Sequence, residues 1–268
     1  MKIGFIGLGS MGGSLARLVT QDERYRSELL LANQSRDKAE KIAAEVAGQP
    51  VSNAEVFSRA EVIFLGIKPA QFADLLAEYR EILDKRDSLL LVSMAAGLTL
   101  ELLEKLSPRH HRWIRIMPNT PVAVGEGVIS YALSQQANQA DEDLLRELLS
   151  SAGLLVKLEE KQLDAATALA GCSPAFVYLF IEALADAGAR AGLSRDISLE
   201  LVNQTLLGAA KLSQVSGQHP AQLKDQVCSP AGSTIAGVAS LEENAFRGTI
   251  MDAVQAAYKR TQELGKKS

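Results

Sequence analysis

The chain has 268 residues, of which 47% are hydrophobic and 22% are charged, and its net charge is -4. These values are typical of a soluble globular protein, and the absence of a basic surplus argues against a nucleic-acid partner. The two cysteines, Cys172 and Cys228, lie far apart, which excludes a disulfide framework and favours a reducing compartment. We therefore expect a cytoplasmic protein with no membrane partner and with no apolar run of membrane-spanning length.

The three histidines do not have the spacing of metal ligands. His110 and His111 lie in a polar turn, and His219 precedes Pro220. All three are predicted to be surface loop residues, and no metal site is expected.

The first predicted element is a buried strand, Ile3 to Ile6, which breaks at Gly7. From Met11 onwards the apolar residues follow helical spacing, so strand and helix enclose the dinucleotide-binding fingerprint Gly7-x-Gly9-x-x-Gly12. Gly9 would let the backbone approach a pyrophosphate, and the helix N-terminus offers free N–H groups to it. The cofactor-binding residues predicted in this turn are Gly7, Leu8, Gly9, Ser10 and Met11.

A second apolar strand, Leu29 to Ala32, ends at a turn that bears on cofactor choice. An NAD-selective fold places an Asp or Glu here, about 20 residues past the glycines, to bind the ribose 2′-hydroxyl. This chain instead has Asn33, Ser35 and Arg36, which are donors suited to a 2′-phosphate. The alternative is an ordinary polar turn in which Ser35 caps the next helix. NADPH is the predicted cofactor, with NADH as the second choice.

Further strands alternate with amphipathic helices through the first part of the chain. They are predicted at residues 62–67, 89–94, 113–117, 128–131 and 154–158. Strands this apolar predict a parallel sheet covered by helices on both faces, with the ligand beyond the carboxyl ends of the strands.

The pattern changes near Glu159, after which no strand is predicted. A helix from Leu163 is expected to break at Gly171, and Ser173-Pro174 is expected to start the next helix. The predicted organisation is a Rossmann-type α/β domain over residues 1–160 and an all-α dimerisation domain over residues 161–268. The apolar stripes of the later helices exceed what a small bundle can bury, which predicts homodimerisation.

Motifs along nearly the whole chain resemble those of one family, the pyrroline-5-carboxylate reductases, which complete proline synthesis. They are Gly4-Phe5-Ile6-Gly7-x-Gly9-x-Met11, Ile67-Lys68-Pro69, Ser93-x-Ala95-Ala96-Gly97, Arg115-x-Met117-Pro118-Asn119, Asp164-x-x-Thr167-x-Leu169-x-Gly171, Pro174-Ala175-Phe176 and Val227-x-Ser229-Pro230-x-Gly232-x-Thr234. Two small departures from the family pattern, at Cys172-Ser173 and at Ala231-Gly232-Ser233, bear on the fine geometry of the substrate site.

The resemblance implies hydride transfer from NAD(P)H to the C=N carbon of 1-pyrroline-5-carboxylate, which gives L-proline. Thr167 matches the family threonine that faces the imine nitrogen. The loop at Gly232, Ser233 and Thr234 would bind the substrate carboxylate through N–H groups at a helix start. Asn119 is a further predicted substrate contact. The ring would then lie between the two domains of a homodimer or higher homo-oligomer.

The resemblance also extends the predicted cofactor site beyond the glycine turn. Asn53 matches the family asparagine at the adenosine ribose. The other cofactor-binding residues predicted in this way are Ile67, Lys68, Pro69, Ser93, Ala95, Ala96 and Gly97.

Two other functions are compatible with part of the sequence. The β-hydroxyacid dehydrogenases share the glycine motif but use a helical lysine as base, and here no lysine lies between Lys161 and Lys211. A catalytically silent, NADP-binding regulatory paralogue is the second alternative, and Thr167 with Thr234 argues against it.

Overall fold

The computed structural model describes residues 1–108 and 110–265. Its eight strands form one sheet: β1 Ile3–Ile6, β2 Leu29–Ala32, β3 Gln49–Pro50, β4 Val62–Leu65, β5 Leu90–Ser93, β6 Arg112–Pro118, β7 Gly127–Leu133 and β8 Gly153–Lys157. The α-helices are α1 Ser10–Val19, α2 Arg36–Val46, α3 Asn53–Arg59, α4 Phe72–Glu78, α5 Arg80–Asp84, α6 Leu100–Leu106, α7 Gln139–Leu148, α8 Leu163–Ala166, α9 Ser173–Arg190, α10 Arg195–Ser216, α11 Pro220–Gln226, α12 Ser233–Glu243 and α13 Phe246–Gly265.

The sheet is mostly parallel, as predicted, with strand order β3-β2-β1-β4-β5-β6-β7-β8. Strands β1 to β6 run parallel, but β7 runs antiparallel to β6, so the expectation of an all-parallel sheet is wrong at this edge. The reason is the short link between β6 and β7, because a parallel pair needs a crossover of about a dozen residues or more. Strand β8, reached through α7, pairs parallel to β7.

Two apolar layers cover the faces of the sheet. Helices α1, α2 and α7 pack on one face, where the rings of Phe5 and Phe64 stack with centroids 4.7 Å apart. Helices α3, α4 and α6 pack on the other face, around Phe57, Phe72 and Trp113. Both faces are buried, which explains why the strands are continuous apolar runs.

The helix after residue 160 does not break at Gly171, contrary to the sequence expectation. Residues Thr167–Gly171 form a π-helical turn in which the N–H of Cys172 donates to the carbonyl of Thr167 over 3.0 Å. Pro174 supplies the physical reason, because it lacks an N–H for the carbonyl of Ala170 and its ring crowds that oxygen. The helix widens by one residue at this point and continues into α9.

The chain divides into two compact units. The first unit contains Met1–Cys172 together with the segment from Ala257, and the second contains Ser173–Ala256. The first unit therefore carries the sheet, its covering helices and the π-helical turn. These units describe which residues pack together and do not test where the dinucleotide-binding region ends. The predicted domain boundary at residue 160 therefore stays a prediction.

The second unit has almost no core of its own. Among its described residues only Ala185 and Ser198 are buried. Its exposed large apolar side chains are Val177, Tyr178, Leu179, Leu184, Leu193, Ile197, Leu201, Leu207, Leu212, Val215, Val227, Ile235, Leu241, Phe246, Ile250 and Met251. So much uncovered apolar surface is typical of a protein-protein interface.

One helical stretch in the described part of the chain, Glu160–Arg190, is long and apolar enough to cross a membrane by length and composition. The expectation that no apolar run reaches this length is therefore wrong. Only 11% of its most apolar window is buried within the protein. Length and composition do not distinguish a lipid-facing helix from one that a second subunit covers.

His111 is buried rather than on the surface, which corrects the sequence prediction, whereas His110 and His219 are exposed as expected. The N–H of Leu89 donates to His111 Nδ1 over 3.2 Å, so the imidazole proton lies on Nε2, 3.2 Å from the Leu83 carbonyl oxygen. Burial, followed by the nearby His110, lowers the pKa of His111 from 6.5 to about 4. The side chain is held neutral.

This buried imidazole makes folding stability depend on pH. Between pH 6.5 and pH 4 the unfolded chain binds a proton at His111 that the folded chain does not, so stability falls as the pH falls through this range. Between about pH 7 and pH 5 the free energy of unfolding of the wild type should fall by roughly 2 kcal/mol more than that of His111→Gln, because glutamine does not titrate. Denaturant unfolding at one fixed protein concentration measures this difference. The exposed control His219→Gln should retain the wild-type dependence, and equal pH profiles for wild type and His111→Gln would contradict the prediction.

Candidate active site

The glycine turn between β1 and α1 is shaped by close backbone contacts. Gly7 has a positive φ of 90°, and a Cβ on it would lie 2.6 Å from the carbonyl oxygen of Gly66. A Cβ on Gly12 would overlap the carbonyl oxygen of Gly7. Gly7 and Gly12 are therefore required by the protein's own packing, since no other residue fits.

Gly9 is different, because a Cβ there would have no protein atom within 4 Å. Its φ of -59° is open to any residue, so neither packing nor backbone strain requires glycine at this position. The open space lies at the N-terminus of α1, where the first N–H groups have no partner within the helix. A bound pyrophosphate explains both observations, and these residues fit a dinucleotide.

Asn33 organises the turn from the neighbouring strand. Its Oδ1 accepts the N–H of Leu8 over 2.9 Å, and its Nδ2 donates to the carbonyl of Ser35 over 3.2 Å. The N–H of Gly7 donates to Ala32 within the sheet. The N–H groups of Gly7 and Leu8 are thus used by the protein, which leaves Gly9, Ser10 and Met11 as the donors predicted for the phosphates.

A cavity of about 550 Å³ lies beyond the carboxyl ends of β1, β2 and β4. This is the point where the strand order reverses, which is the ligand position expected for such sheets. The predicted cofactor residues that line it are Gly7, Gly9, Asn33, Asn53, Ile67 and Lys68. The structure therefore brings together residues from four separate motifs of the sequence.

A neighbouring groove of about 380 Å³ shares Asn33 and Ser52 with this cavity and adds Arg36. The Arg36 guanidinium is exposed and pairs with Glu40 over 2.9 Å. Ser35 stands at the N-cap position of α2, but its side chain makes no capping hydrogen bond. The alternative in which Ser35 serves only as a cap is therefore not realised, and its hydroxyl remains available to a ligand.

Five polar residues that line the cavity were not predicted from the sequence as site residues, namely Gln34, Ser52, Gln71, Asp74 and Glu78. Asp74 and Glu78 lie four residues apart, on the side of α4 opposite to its buried face of Phe72 and Leu76. The sequence indicates this pair, because carboxylates four residues apart lie on the same face of a helix and this helix follows β4.

The predicted residues after β5 do not line the cavity. Ser93 is buried, and its hydroxyl accepts the N–H of Ala95 over 3.2 Å. Gly97 has a φ of 84°, and a Cβ on it would lie 2.9 Å from the Cα of Gly265. Ala96 is exposed, whereas Ala95 is buried. Pro69 and Met11 are likewise outside the cavity lining.

Thr167 begins the π-helical turn and is half-buried. Its hydroxyl donates to the carbonyl of Leu163 over 2.7 Å, so the free lone pairs of Oγ1 act as acceptors. A threonine held in this way can accept a hydrogen bond from an N–H group.

An ion-pair cluster fixes the helix that carries Thr167. Arg115 on β6 is buried and lies 3.3 Å from both Glu160 and Asp164. Glu160 also accepts the N–H of Leu100 over 2.6 Å, at the start of α6. Sequence reasoning recognised Arg115 and Asp164 only as motif positions, without a role.

Asn119, predicted as a substrate contact, has both ends of its amide engaged within the protein. Its Oδ1 accepts the N–H of Val128 over 2.8 Å, and its Nδ2 donates to the carbonyl of Ala170 over 3.0 Å. The side chain is buried. The predicted substrate contact stays a prediction.

In the second unit, Gly232 is the N-cap of α12. Its N–H donates to the carbonyl of Ser229 over 3.0 Å within the loop itself, and its predicted contact with the substrate carboxylate stays a prediction. Ser233 and Thr234 are the first helical residues, and their N–H groups remain open to an anion. Ala231 adopts a positive φ of 55° to make the turn.

Comparisons with known proteins match both halves of the chain. A family model described as pyrroline-5-carboxylate reductase dimerisation matches residues 160–264, and one described as NADP oxidoreductase coenzyme F420-dependent matches residues 2–97. The pyrroline-5-carboxylate reductase of Pisum sativum is 43% identical, covering 98% of this chain and 95% of its own. The pyrroline-5-carboxylate reductase of Synechocystis is 40% identical, covering 100% of this chain and 99% of its own.

A solved structure agrees with these sequence matches. The Plasmodium falciparum pyrroline carboxylate reductase, crystallised with NADP bound, superposes with a TM-score of 0.88 at 35% identity, covering 99% of this chain and 98% of that one.

The sheet, glycine turn and cavity define a nicotinamide-dinucleotide-dependent oxidoreductase. The extent and identity of the matches then establish the family: the chain belongs to the pyrroline-5-carboxylate reductases. The predicted family, the fold class, the enzyme class and the use of a nicotinamide cofactor are thereby confirmed. The β-hydroxyacid dehydrogenase alternative is not supported.

The different roles of Gly9 and Gly12 can be separated by substitution. Gly9→Ala should keep the thermal midpoint of the wild type, because its Cβ meets no protein atom, yet it should weaken NADPH binding by about tenfold or more. Gly12→Ala should lower the thermal midpoint, because its Cβ overlaps the Gly7 carbonyl. Thermal unfolding and fluorescence titration with NADPH measure the two effects. Unweakened NADPH binding by Gly9→Ala would show that the cofactor backbone does not occupy this space.

Proposed function

We propose that this reductase converts 1-pyrroline-5-carboxylate to L-proline with NADPH as the preferred donor, and that Thr167 and the loop at Gly232 form the substrate site. The strongest support is the alignment with pyrroline-5-carboxylate reductases over nearly the whole chain. The aligned part includes the glycine turn as well as Thr167 and the loop at Gly232. The direct test is NADPH oxidation by the purified protein on addition of the substrate. Cofactor binding without oxidation would indicate a silent paralogue instead.

The bound cofactor supplies the hydride, and the protein's part is to hold it. The open N–H groups of α1, the cavity and Asn53 support binding of the pyrophosphate and adenosine. The groove at Arg36 supports a preference for NADPH, because a guanidinium fork binds a 2′-phosphate well. No Asp or Glu stands at the end of β2 to select a 2′-hydroxyl. Glu55 lines the same groove, but Ser52 binds its carboxylate through both N–H and hydroxyl.

Arg36 should therefore set the choice between NADPH and NADH. Arg36→Ala should weaken NADPH binding by about tenfold, the effect of one lost charge-assisted hydrogen bond, and leave NADH binding unchanged. Arg36→Asp should reverse or abolish the preference. Lys41→Ala removes the same charge further along α2 and serves as control. Equal affinity of the wild-type protein for both cofactors, measured by titration, would rule out this role.

The substrate chemistry requires few groups. A cyclic imine is basic, and its protonated form already activates the carbon for hydride transfer, so the site mainly has to position it. An iminium N–H would donate to the Oγ1 lone pairs of Thr167, whose own proton is directed to Leu163. The open N–H groups of Ser233 and Thr234 suit the substrate carboxylate.

Two variants separate these roles. Thr167→Ala should lower kcat by about tenfold or more through loss of a transition-state hydrogen bond, with NADPH affinity unchanged. Thr234→Ala should chiefly raise KM for the substrate, because the backbone donors remain and one hydroxyl is lost. Steady-state kinetics with a cofactor titration measure both. If Thr167→Ala keeps full activity, Thr167 does not bind the imine.

We also propose that the protein is a cytoplasmic homodimer or higher homo-oligomer that assembles through its helical region. The dimerisation family model over residues 160–264 supports this, as does the scarcity of buried residues in the second unit. The apolar surface of the stretch Glu160–Arg190 would then face a second subunit rather than lipid.

Analytical ultracentrifugation of the full-length protein at micromolar concentration should show a dimer or larger species in the absence of detergent. A monodisperse monomer would contradict the assembly. A requirement for detergent would favour a membrane location for the stretch Glu160–Arg190.

A further inference from the structure

The carbonyl of Ala170 lacks the partner that an α-helix would give it. In an α-helix this oxygen would accept the N–H of residue 174, but that residue is Pro174 and has none. The oxygen lies in the π-helical turn that Thr167 begins. Such turns are rare and are frequently found at functional sites.

Asn119 supplies the missing donor. Its Nδ2 lies 3.0 Å from the Ala170 oxygen, and the orientation of the amide is set by Oδ1, which accepts the N–H of Val128 over 2.8 Å. The backbone N–H of Asn119 also donates to the Val128 carbonyl over 3.1 Å. The amide is therefore attached rigidly to the sheet and holds the π-helical turn against it.

The segment before Thr167 is fixed independently. Arg115, in the middle of β6, binds Asp164 and Glu160 at 3.3 Å, and Asn119 follows the end of the same strand. Asp164 comes three residues before Thr167, and Ala170 comes three residues after it. A side chain in β6 and one directly after it thus hold the helix on either side of the threonine.

We propose that Asn119 is a positioning residue, which sets the direction of the Thr167 hydroxyl by binding the Ala170 carbonyl, to which Pro174 cannot donate. This inference rests on the proposed role of Thr167 at the imine nitrogen. It assigns Asn119 to the turn that carries the threonine rather than to direct contact with substrate. The two assignments differ in kinetics. Loss of a residue that positions Thr167 weakens a transition-state hydrogen bond and lowers kcat, whereas loss of a direct Asn119 contact that is equally strong in the ground state and the transition state raises KM.

The test compares Asn119→Asp, which keeps the Oδ1 acceptor and loses the Nδ2 donor, with the neutral variant Asn119→Ser. Both should lower kcat by about tenfold to a hundredfold, with unchanged NADPH affinity and with a larger kinetic isotope effect from deuterated NADPH, because hydride transfer becomes slower. Ser107→Ala is the matched control. It removes the buried hydrogen bond to Trp113 Nε1 and should lower the thermal midpoint without changing kcat or the isotope effect.

A double-mutant comparison with Thr167→Val decides whether Asn119 acts through the threonine. If it does, Asn119→Asp should reduce kcat little further in the Thr167→Val background. Additive losses, or a raised KM with unchanged kcat in the Asn119 variants, would overturn the positioning role and leave the proposed function intact. Full turnover by Thr167→Val would overturn the proposed role of the threonine, and the inference with it.

Discussion

The structure depends on one crowded point, where the carbonyl oxygen of Gly7 lies between Gly12 and Gly66. A side chain on either neighbour would overlap this oxygen or approach it within 2.6 Å. Because the three backbones meet there, α1 starts directly at the ends of β1 and β4, and its N-cap residue Gly9 lines the cavity. The cofactor site is therefore a consequence of backbone packing. Gly9 alone in this motif is left to the ligand.

The first unit and the second unit reach stability by different means. The first buries both faces of an eight-stranded sheet, with stacked rings at its centre. The second exposes most of its large apolar side chains, and among its described residues only Ala185 and Ser198 are buried. A surface of this kind is stable when another apolar surface covers it.

The sequence predicted seven of the eight described strands and most helices well, because each has a clear apolar pattern. Strand β3, which has only two residues, was missed. Ser52, Thr99 and Ser194 each accept a capping hydrogen bond from a backbone N–H at the start of a helix. What it missed depends on contacts distant in the chain. His111 lies in a polar stretch, yet backbone groups of Leu83 and Leu89 enclose it. The direction of β7 follows from loop length, which apolar periodicity does not report.

The candidate site was predicted unevenly for similar reasons. Predicted residues in the glycine turn and at the ends of β2 and β4 line the cavity, as the topology leads one to expect, whereas those at the end of β5 do not. Asp74 and Glu78 were not predicted, since an exposed carboxylate pair on a helix is common without a ligand. The π-helical turn was mistaken for a helix break, because Pro174 gives the same local signal in both cases. The backbone hydrogen bond from the Cys172 N–H to the Thr167 carbonyl shows that the helix continues.

The contact between Gly97 and Gly265 has a consequence for the order in which the protein is built. Gly265 belongs to a segment that the ribosome adds after the whole of the second unit, yet it packs on a turn of the first. During synthesis the sheet can form early, as N-terminal regions generally do. The turn after β5 lacks its packing partner until α13 emerges, so the first unit is completed only after the second has been made.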